Sequence, residues 1–274
     1  TSINKWEYNI KNEYKYDGQK NLIERTTQNR NNANKSWDNN NKILNNYSVT
    51  NQLLESIIQF WNNDQSTWMD YHKDSYMYDV NNNLIQHTSN EWDLVQGLWV
   101  NINKFSLLYD INNNLFEKLH QKWDLDIDDW LNYVDEIYLY DSENNQINYL
   151  RKEWNINKNI WENKTKYISN YNFNKQIKEQ LIQSWNLTNN EWRTFLRYYY
   201  SYDLNNKETE FFEQTWSPSK NDWMNNYVRT NEYDANGDLK AKDTYYDWSI
   251  NTNNFYSHFR EENISTNLVT NNFN

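Results

Sequence analysis

The sequence has no cysteine, one proline and three glycines in 274 residues. Without cysteine there is no disulfide framework and no thiolate metal site. So little glycine rules out a Gly-rich phosphate loop, and turns that need left-handed backbone must find another residue for it. Hydrophobic residues make up only 37% of the chain, and no run of them approaches the length of a membrane helix. Basic residues are outnumbered 27 to 38, and a net charge of -11 argues against nucleic acid as a partner. There is no starting Met, and Thr1 already lies inside the repeat described below, so the chain is expected to be a mature or excised fragment.

What is present in excess is aromatic. Fifteen Trp and 23 Tyr bring the aromatic fraction to 18%, far from the depletion that marks disordered chains. Asn is the other excess, at 54 residues. It is the non-glycine residue that best tolerates left-handed backbone, so Asn is expected at turn positions usually given to Gly.

The two excesses are organised together. "YMYDVNNNLIQHTSNEW" begins at Tyr76, and "LLYDINNNLFEKLHQKW" begins 31 residues later at Leu107. Trp recurs at that interval at Trp6, Trp37, Trp68, Trp99, Trp130, Trp161, Trp192 and Trp223. A second series runs through Trp61, Trp92, Trp123, Trp154, Trp185 and Trp216. Tyr16, Tyr47, Tyr78, Tyr109, Tyr140, Tyr171, Tyr202 and Tyr233 each follow a first-series Trp by ten residues. The whole of 1–274 therefore reads as a single array, with units starting near those eight Trp residues and a degenerate last unit near Phe255. Arg30 stands where the second series would begin, and the register slips by one at Trp248 and Phe255. Atypical end units are usual in arrays, because an end unit lacks a neighbour.

Within a unit the alternation has period two. Trp192, Thr194, Leu196, Tyr198, Tyr200 and Tyr202 fall on one side of a strand, and Leu115, Glu117, Leu119, Gln121 and Trp123 on one side of the return. Between them lie "DVNNN", "DINNN" and "DANGD", the last with an Asn-Gly hairpin signal at Asn236 and Gly237. The expected fold is all-β: tandem 31-residue hairpins in one continuous antiparallel up-and-down sheet, superhelically twisted or rolled into a shell. A helix through "NNNLIQHTSNEW" would carry weak helix formers and no sustained 3.6-residue period.

The segments "YMYD", "LLYD", "YLYD", "YSYD" and "NEYDANGDL" resemble the Tyr-Asp repeats of Rhs and teneurin-type proteins. The Trp pair and the Asn-rich 31-residue spacing resemble hairpin repeats of secreted Bacteroidetes surface proteins. The first resemblance implies spiralling sheets of hairpins, often rolled into a shell. The second implies export to the cell surface, commonly by the type IX route. The sequence departs from Tyr-Asp repeats in its period, in the added Trp, and in having Asn for most of the glycines.

Period-two counting assigns the recurring residues to faces. Trp, Tyr and Leu84, Leu115 and Leu239 are expected on one face, together with a carboxylate row at Glu24, Glu55, Glu117, Glu179 and Glu210. Gln28, Gln59, Gln121, Gln183 and Gln214 are expected nearly opposite Asn39, Asn101, Asn132, Asn163 and Asn225. Lys11, Lys42, Lys73, Lys104 and Lys166 are expected on the other face. The turn aspartates Asp79, Asp110 and Asp234 share their opening with calcium-loop motifs but lack the downstream Glu, so each is expected to cap its own turn.

His72, His87 and His120 occupy three different repeat positions, and His258 lies in the slipped unit, so no shared histidine site is expected. A row of equivalent Glu residues is not a differentiated acid–base pair, and an enzyme is not expected. No cofactor is implied. The expected function is a structural or adhesive repeat segment of an exported cell-surface or filament protein, located outside the cell or on its surface. The alternative is a carbohydrate-binding array, with Trp68, Trp99, Trp130, Trp161, Trp192, Tyr78, Tyr109 and Tyr140 as sugar-stacking platforms. Expected partners are further copies in a fibre or surface layer, or an extracellular polysaccharide, with no nucleic acid and no membrane insertion.

Overall fold

Strands form where the alternation places them. The computed structural model describes residues 9–262 apart from 32, 250, 251 and 253. Trp6 and Tyr8 of the first unit and the tail "TNLVTNNFN" lie outside the described residues. The first strands are β1 (Ile10–Tyr16), β2 (Leu22–Arg30), β3 (Trp37–Tyr47), β4 (Leu53–Asn62), β5 (Thr67–Tyr78) and β6 (Leu84–Asp93). They are followed by β7 (Leu98–Tyr109), β8 (Leu115–Asp124), β9 (Asp129–Tyr140), β10 (Gln146–Asn155), β11 (Ile160–Tyr171) and β12 (Ile177–Asn186). The last are β13 (Glu191–Tyr202), β14 (Glu208–Ser217), β15 (Asp222–Tyr233), β16 (Leu239–Ser249) and β17 (Asn254–Glu262). Each pairs antiparallel with its sequence neighbours in one 17-stranded, open, up-and-down sheet. Contacts divide the chain at Asp135/Glu136, inside β9, into two compact units built on the same pattern.

Two kinds of turn alternate. In the Tyr-Asp turn, the Asp79 amide donates to the Asn83 carbonyl (3.0 Å) and the Asn82 amide to the Asp79 carbonyl (3.2 Å). Asp79 Oδ1 accepts from the amides of Asn81 and Asn83, and Asn83 Nδ2 donates to Asp79 Oδ2. The aspartate caps its own turn, as expected. Hydrogen bonding from the Asn83 side chain, then from backbone amides, holds its carboxyl below the usual range, and the same cause acts at Asp110 and Asp141. The left-handed residue of this turn is Asn51, Asn82, Asn113, Asn144 or Asn206, so Asn does replace Gly. Lys20 and Lys175 hold the same position less comfortably.

The second turn joins the Trp pair. Asp93 Oδ1 accepts from the amides of Val95 and Gln96, its carbonyl accepts from the Gly97 amide, and Gly97 is left-handed at φ 67°. Ser66, Asp128, Asn159, Asn190 and Asn221 take the Gly97 role elsewhere. Each unit thus has two left-handed positions, and mostly non-glycine residues fill both.

Gly237 has φ 82°, as the Asn-Gly signal requires. A Cβ there would adopt a disfavoured backbone and lie 2.7 Å from Lys207 Nζ. Gly237→Val is expected to destabilise by about 1 kcal/mol or more in urea unfolding. Gly18→Val should be neutral, since nothing lies within 4 Å of its Cβ position and the same turn position is already Val in Val49 and Val80.

The hairpins carry single-residue bulges that period-two counting passes over. In β4–β5, Gln59 faces Asp70 but Ile58 faces His72, leaving Tyr71 unmatched. In β5–β6, Met77 faces Gln86 but Tyr78 faces Leu84, leaving Ile85 unmatched. A one-residue offset exchanges the two faces of everything beyond it. Trp68 and Asp70 therefore share a face with Lys73 and Ser75, while Tyr78 and Leu84 lie on the other. The expectation that Trp, Tyr and Leu84 share a face is corrected by these bulges, and so is the assignment of Lys42, Lys73 and Lys104 to the face opposite Trp. The Glu row stays with Trp, because β4 runs unbroken from Glu55 to Trp61.

Burial is shallow. Val134, Ile182 and Ala241 are the buried hydrophobic residues among those described, and the recurring Trp and Tyr residues that are described are half-buried, except the exposed Tyr16. Stability must come from pairing between adjacent strands on both faces rather than from a sealed core.

Candidate binding surface

On the Trp face, each hairpin ends in an edge-to-face pair. Trp61–Trp68, Trp92–Trp99, Trp123–Trp130 and Trp154–Trp161 all have ring centroids 5.1 Å apart with the planes 67–78° apart. Trp185–Trp192 and Trp216–Trp223 match them. Such pairs contribute about 0.5–1.5 kcal/mol beyond their buried area. Where the series fails at the start, Arg30 lies 5.3 Å from the Trp37 ring. Where it slips, Trp248 faces Phe255 in a hairpin without a register shift, at 4.9 Å.

Behind the Arg30–Trp37 contact and five of the Trp pairs lies a polar rung. Gln28, Gln59, Asn90, Gln121 and Gln214 donate to Asn39, Asp70, Asn101, Asn132 and Asn225 at 2.7–3.0 Å. Gln183 donates to the Thr194 hydroxyl at 2.9 Å. These rungs fix the register of the hairpin that carries the Trp pair.

Four of the first-series rings are also covered by cations of the preceding unit. Lys42 lies 4.5 Å from the Trp68 centroid, Lys73 5.0 Å from Trp99, Lys104 4.8 Å from Trp130, and Arg197 4.4 Å from Trp223. Burial lowers the pKa of Lys104, with Asp129 opposing. Sequence reasoning missed these caps because the bulge hides them. The available signal was the constant offset between each Lys and the Trp it covers.

The other face belongs to Tyr. Tyr78 donates to the Leu53 carbonyl (3.1 Å), Tyr109 to Leu84 (3.0 Å), Tyr171 to Gln146 (2.8 Å), Tyr202 to Ile177 (2.8 Å) and Tyr233 to Glu208 (2.9 Å). Each bond runs back to the first residue of the preceding return strand, which explains why the position is Tyr and not Phe. Burial raises the hydroxyl pKa of Tyr78, Tyr109 and Tyr202. Of the residues expected to form a sugar platform, Trp68, Trp99, Trp130, Trp161 and Trp192 thus lie on one face. Tyr78 and Tyr109 lie on the other, and Tyr140 is half-buried at the same repeat position.

An aromatic ladder follows on the Tyr face of the first compact unit. Tyr76, His87, Phe105 and His120 stack in turn at 4.3–5.6 Å, ending edge-on against Tyr133. His87 Nε2 lies 2.7 Å from Asp74 Oδ1 and His72 Nε2 lies 3.3 Å from Asp74 Oδ2. Two histidines from different repeat positions therefore share one carboxylate, an arrangement that spacing does not show. Burial raises the Asp74 pKa, but hydrogen bonding from His87 and the charge of both histidines outweigh it and leave it lowered. In the second compact unit, Tyr138, Tyr149 and Tyr167 pack with tilted rings at 5.3–5.4 Å, and Tyr149 donates to Glu136 at 2.7 Å. Burial, with the Glu136 charge, pushes Tyr138 up to about 12.

No protein-family model and no curated protein sequence matches the chain. Among solved structures it is similar to a Bacteroides fragilis protein of unknown function, at 16% identity over 47% of this chain and 91% of that one, with a TM-score of 0.39. A DUF3836 family protein from Parabacteroides distasonis matches at 23% identity over 33% of this chain and 87% of that one, with a TM-score of 0.26. The Photorhabdus luminescens Tc holotoxin pore, which contains TccC3, matches at 13% identity over 90% of this chain, with a TM-score of 0.39. The match spans only 14% of the toxin chain's own length. These likenesses assign the chain to no family.

Proposed function

We propose that the chain is a non-enzymatic, structural repeat segment of an exported cell-surface or filament protein. The observation that carries this reading is the tyrosine bond. The same side chain fastens successive hairpins to their predecessors, in five places, with nearly the same geometry. A device repeated at five joints of the array serves stiffness and reach. The half-buried Trp seam and the polar rungs serve the same end, since each holds one hairpin closed. On this reading the partners are further copies in a fibre or surface layer.

The test is an antibody raised against the exposed Tyr-Asp turns, applied to intact cells of the source organism. Labelling before permeabilisation is expected, and its extent should scale with repeat number in shortened alleles. Labelling only after permeabilisation would refute export.

A further inference from the structure

Successive Trp hairpins are not zipped together at their tips. Within a hairpin the ladder runs out past the Trp pair to Asn62↔Thr67. Between hairpins it stops short, at His72↔Glu91, Asn103↔Lys122 and Leu196↔Thr215. The opening residues of one strand and the closing residues of the next therefore splay apart. Clefts of about 340, 370 and 500 Å³ lie in the three gaps, within the size range of small-ligand sites.

The three clefts are the same place in the repeat. One wall is a second-series Trp: Trp92, Trp123 or Trp216. The rim is the loop residue two positions on, Leu94, Leu125 or Pro218, each exposed. The facing wall carries the far member of a polar rung: Asp70, Asn101 or Thr194.

We propose that these clefts are subsites for a neutral, extended β-1,4-linked polysaccharide, taking one disaccharide step per cleft. An aromatic wall suits the apolar face of a sugar ring, and an exposed aliphatic rim has no task within the sheet. The charged neighbours do not recur: Asp70 lines one cleft, Lys122 the next and Arg193 the third, so no ligand charge is selected. Asp70 can only accept, while Asn101 and Thr194 can both donate and accept. Sugar hydroxyls meet all three, whereas a polyproline segment offers no donor for Asp70. The first two clefts are one unit apart, which is two strands or roughly 9.6 Å. That spacing is comparable to the advance of a β-1,4-linked disaccharide, and an extended peptide, stepping roughly 6.8 Å per two residues, falls out of phase. The first-series rings Trp68, Trp99, Trp130 and Trp223 suit a platform less well, since a lysine or arginine already lies over each.

The test is titration of the intact chain with β-1,4-linked gluco-oligosaccharides of two, four and six residues, followed by heat and by Trp fluorescence. Binding should tighten at least tenfold from two residues to six, because only the longer chains span adjacent clefts. The combined variant Leu94→Arg, Leu125→Arg, Pro218→Arg alters exposed rims alone. It should keep its circular dichroism and melting curve and bind the hexamer at least tenfold more weakly. No binding at millimolar concentration, equal affinity at all lengths, or a rim variant that binds like the parent would each overturn the proposal. So would a polyproline decamer binding where the sugars do not. Concentration-dependent self-association that the rim variant abolishes, without sugar binding, would do the same.

Discussion

Excising residues 68–98, one whole unit, is expected to leave a shorter array that still folds cooperatively. Excising residues 68–83, half a unit, is expected to abolish folding. The whole-unit excision joins Thr67 to Trp99, and each lost partner is replaced by its equivalent. Trp61 meets Trp99 in place of Trp68, and Gln59 meets Asn101 in place of Asp70. Lys42 covers Trp99, and Tyr109 reaches the Leu53 carbonyl in place of Tyr78. The half-unit excision removes β5 and its turn, so β6 follows β4 through residues 63–67 alone. Running parallel to β4 would need a crossover of a dozen or more residues. Running antiparallel would carry Trp92 to the Tyr-turn end, out of register with every row. Circular dichroism and thermal unfolding of both variants decide the matter, and equal folding of the two would mean that 31 residues is not the structural unit.

The same rows mark the limit of what the sequence makes legible. Trp92 and Trp99 pair where their spacing places them, and the Gln and Asn rows meet as rungs. Both strands of a hairpin are straight between these residues and the loop, so counting works. It fails beyond Tyr71 and Ile85, because a bulge costs one residue and leaves no mark in composition. Trp68 and Tyr78 stand an even number apart and still face opposite ways. Lys20, Ser66 and Asp128 were equally unreadable, since left-handed backbone at such residues is imposed by the hairpin rather than by their own preference. His72 and His87 escaped notice because spacing compares repeat positions, whereas Asp74 joins them diagonally across two strands. The clefts followed from neither count, since they depend on where the ladder between hairpins stops.

Trp130→Ala separates the structural reading from a binding role for the first-series rings. Trp130 stands edge-on to Trp123 at 5.1 Å, with Lys104 4.8 Å over its face. Truncating a core aromatic costs about 3–5 kcal/mol. Here the ring is half-buried, so about 2–3 kcal/mol is expected in urea unfolding, with part of it from the lost edge-to-face contact. A cycle with Trp123→Ala should return a coupling of about 1 kcal/mol, as for other aromatic pairs in contact. Hydrogen exchange should quicken in β8 and the Trp end of β9, because an array transmits stability only to neighbours. Sugar binding should change little while the fold persists, since the cleft wall at this repeat is Trp123. A Trp130→Ala chain as stable as its parent but unable to bind the oligosaccharides would reverse the assignment: the first-series rings would then be the platform, and the lysines above them would have to move aside when a ligand arrives.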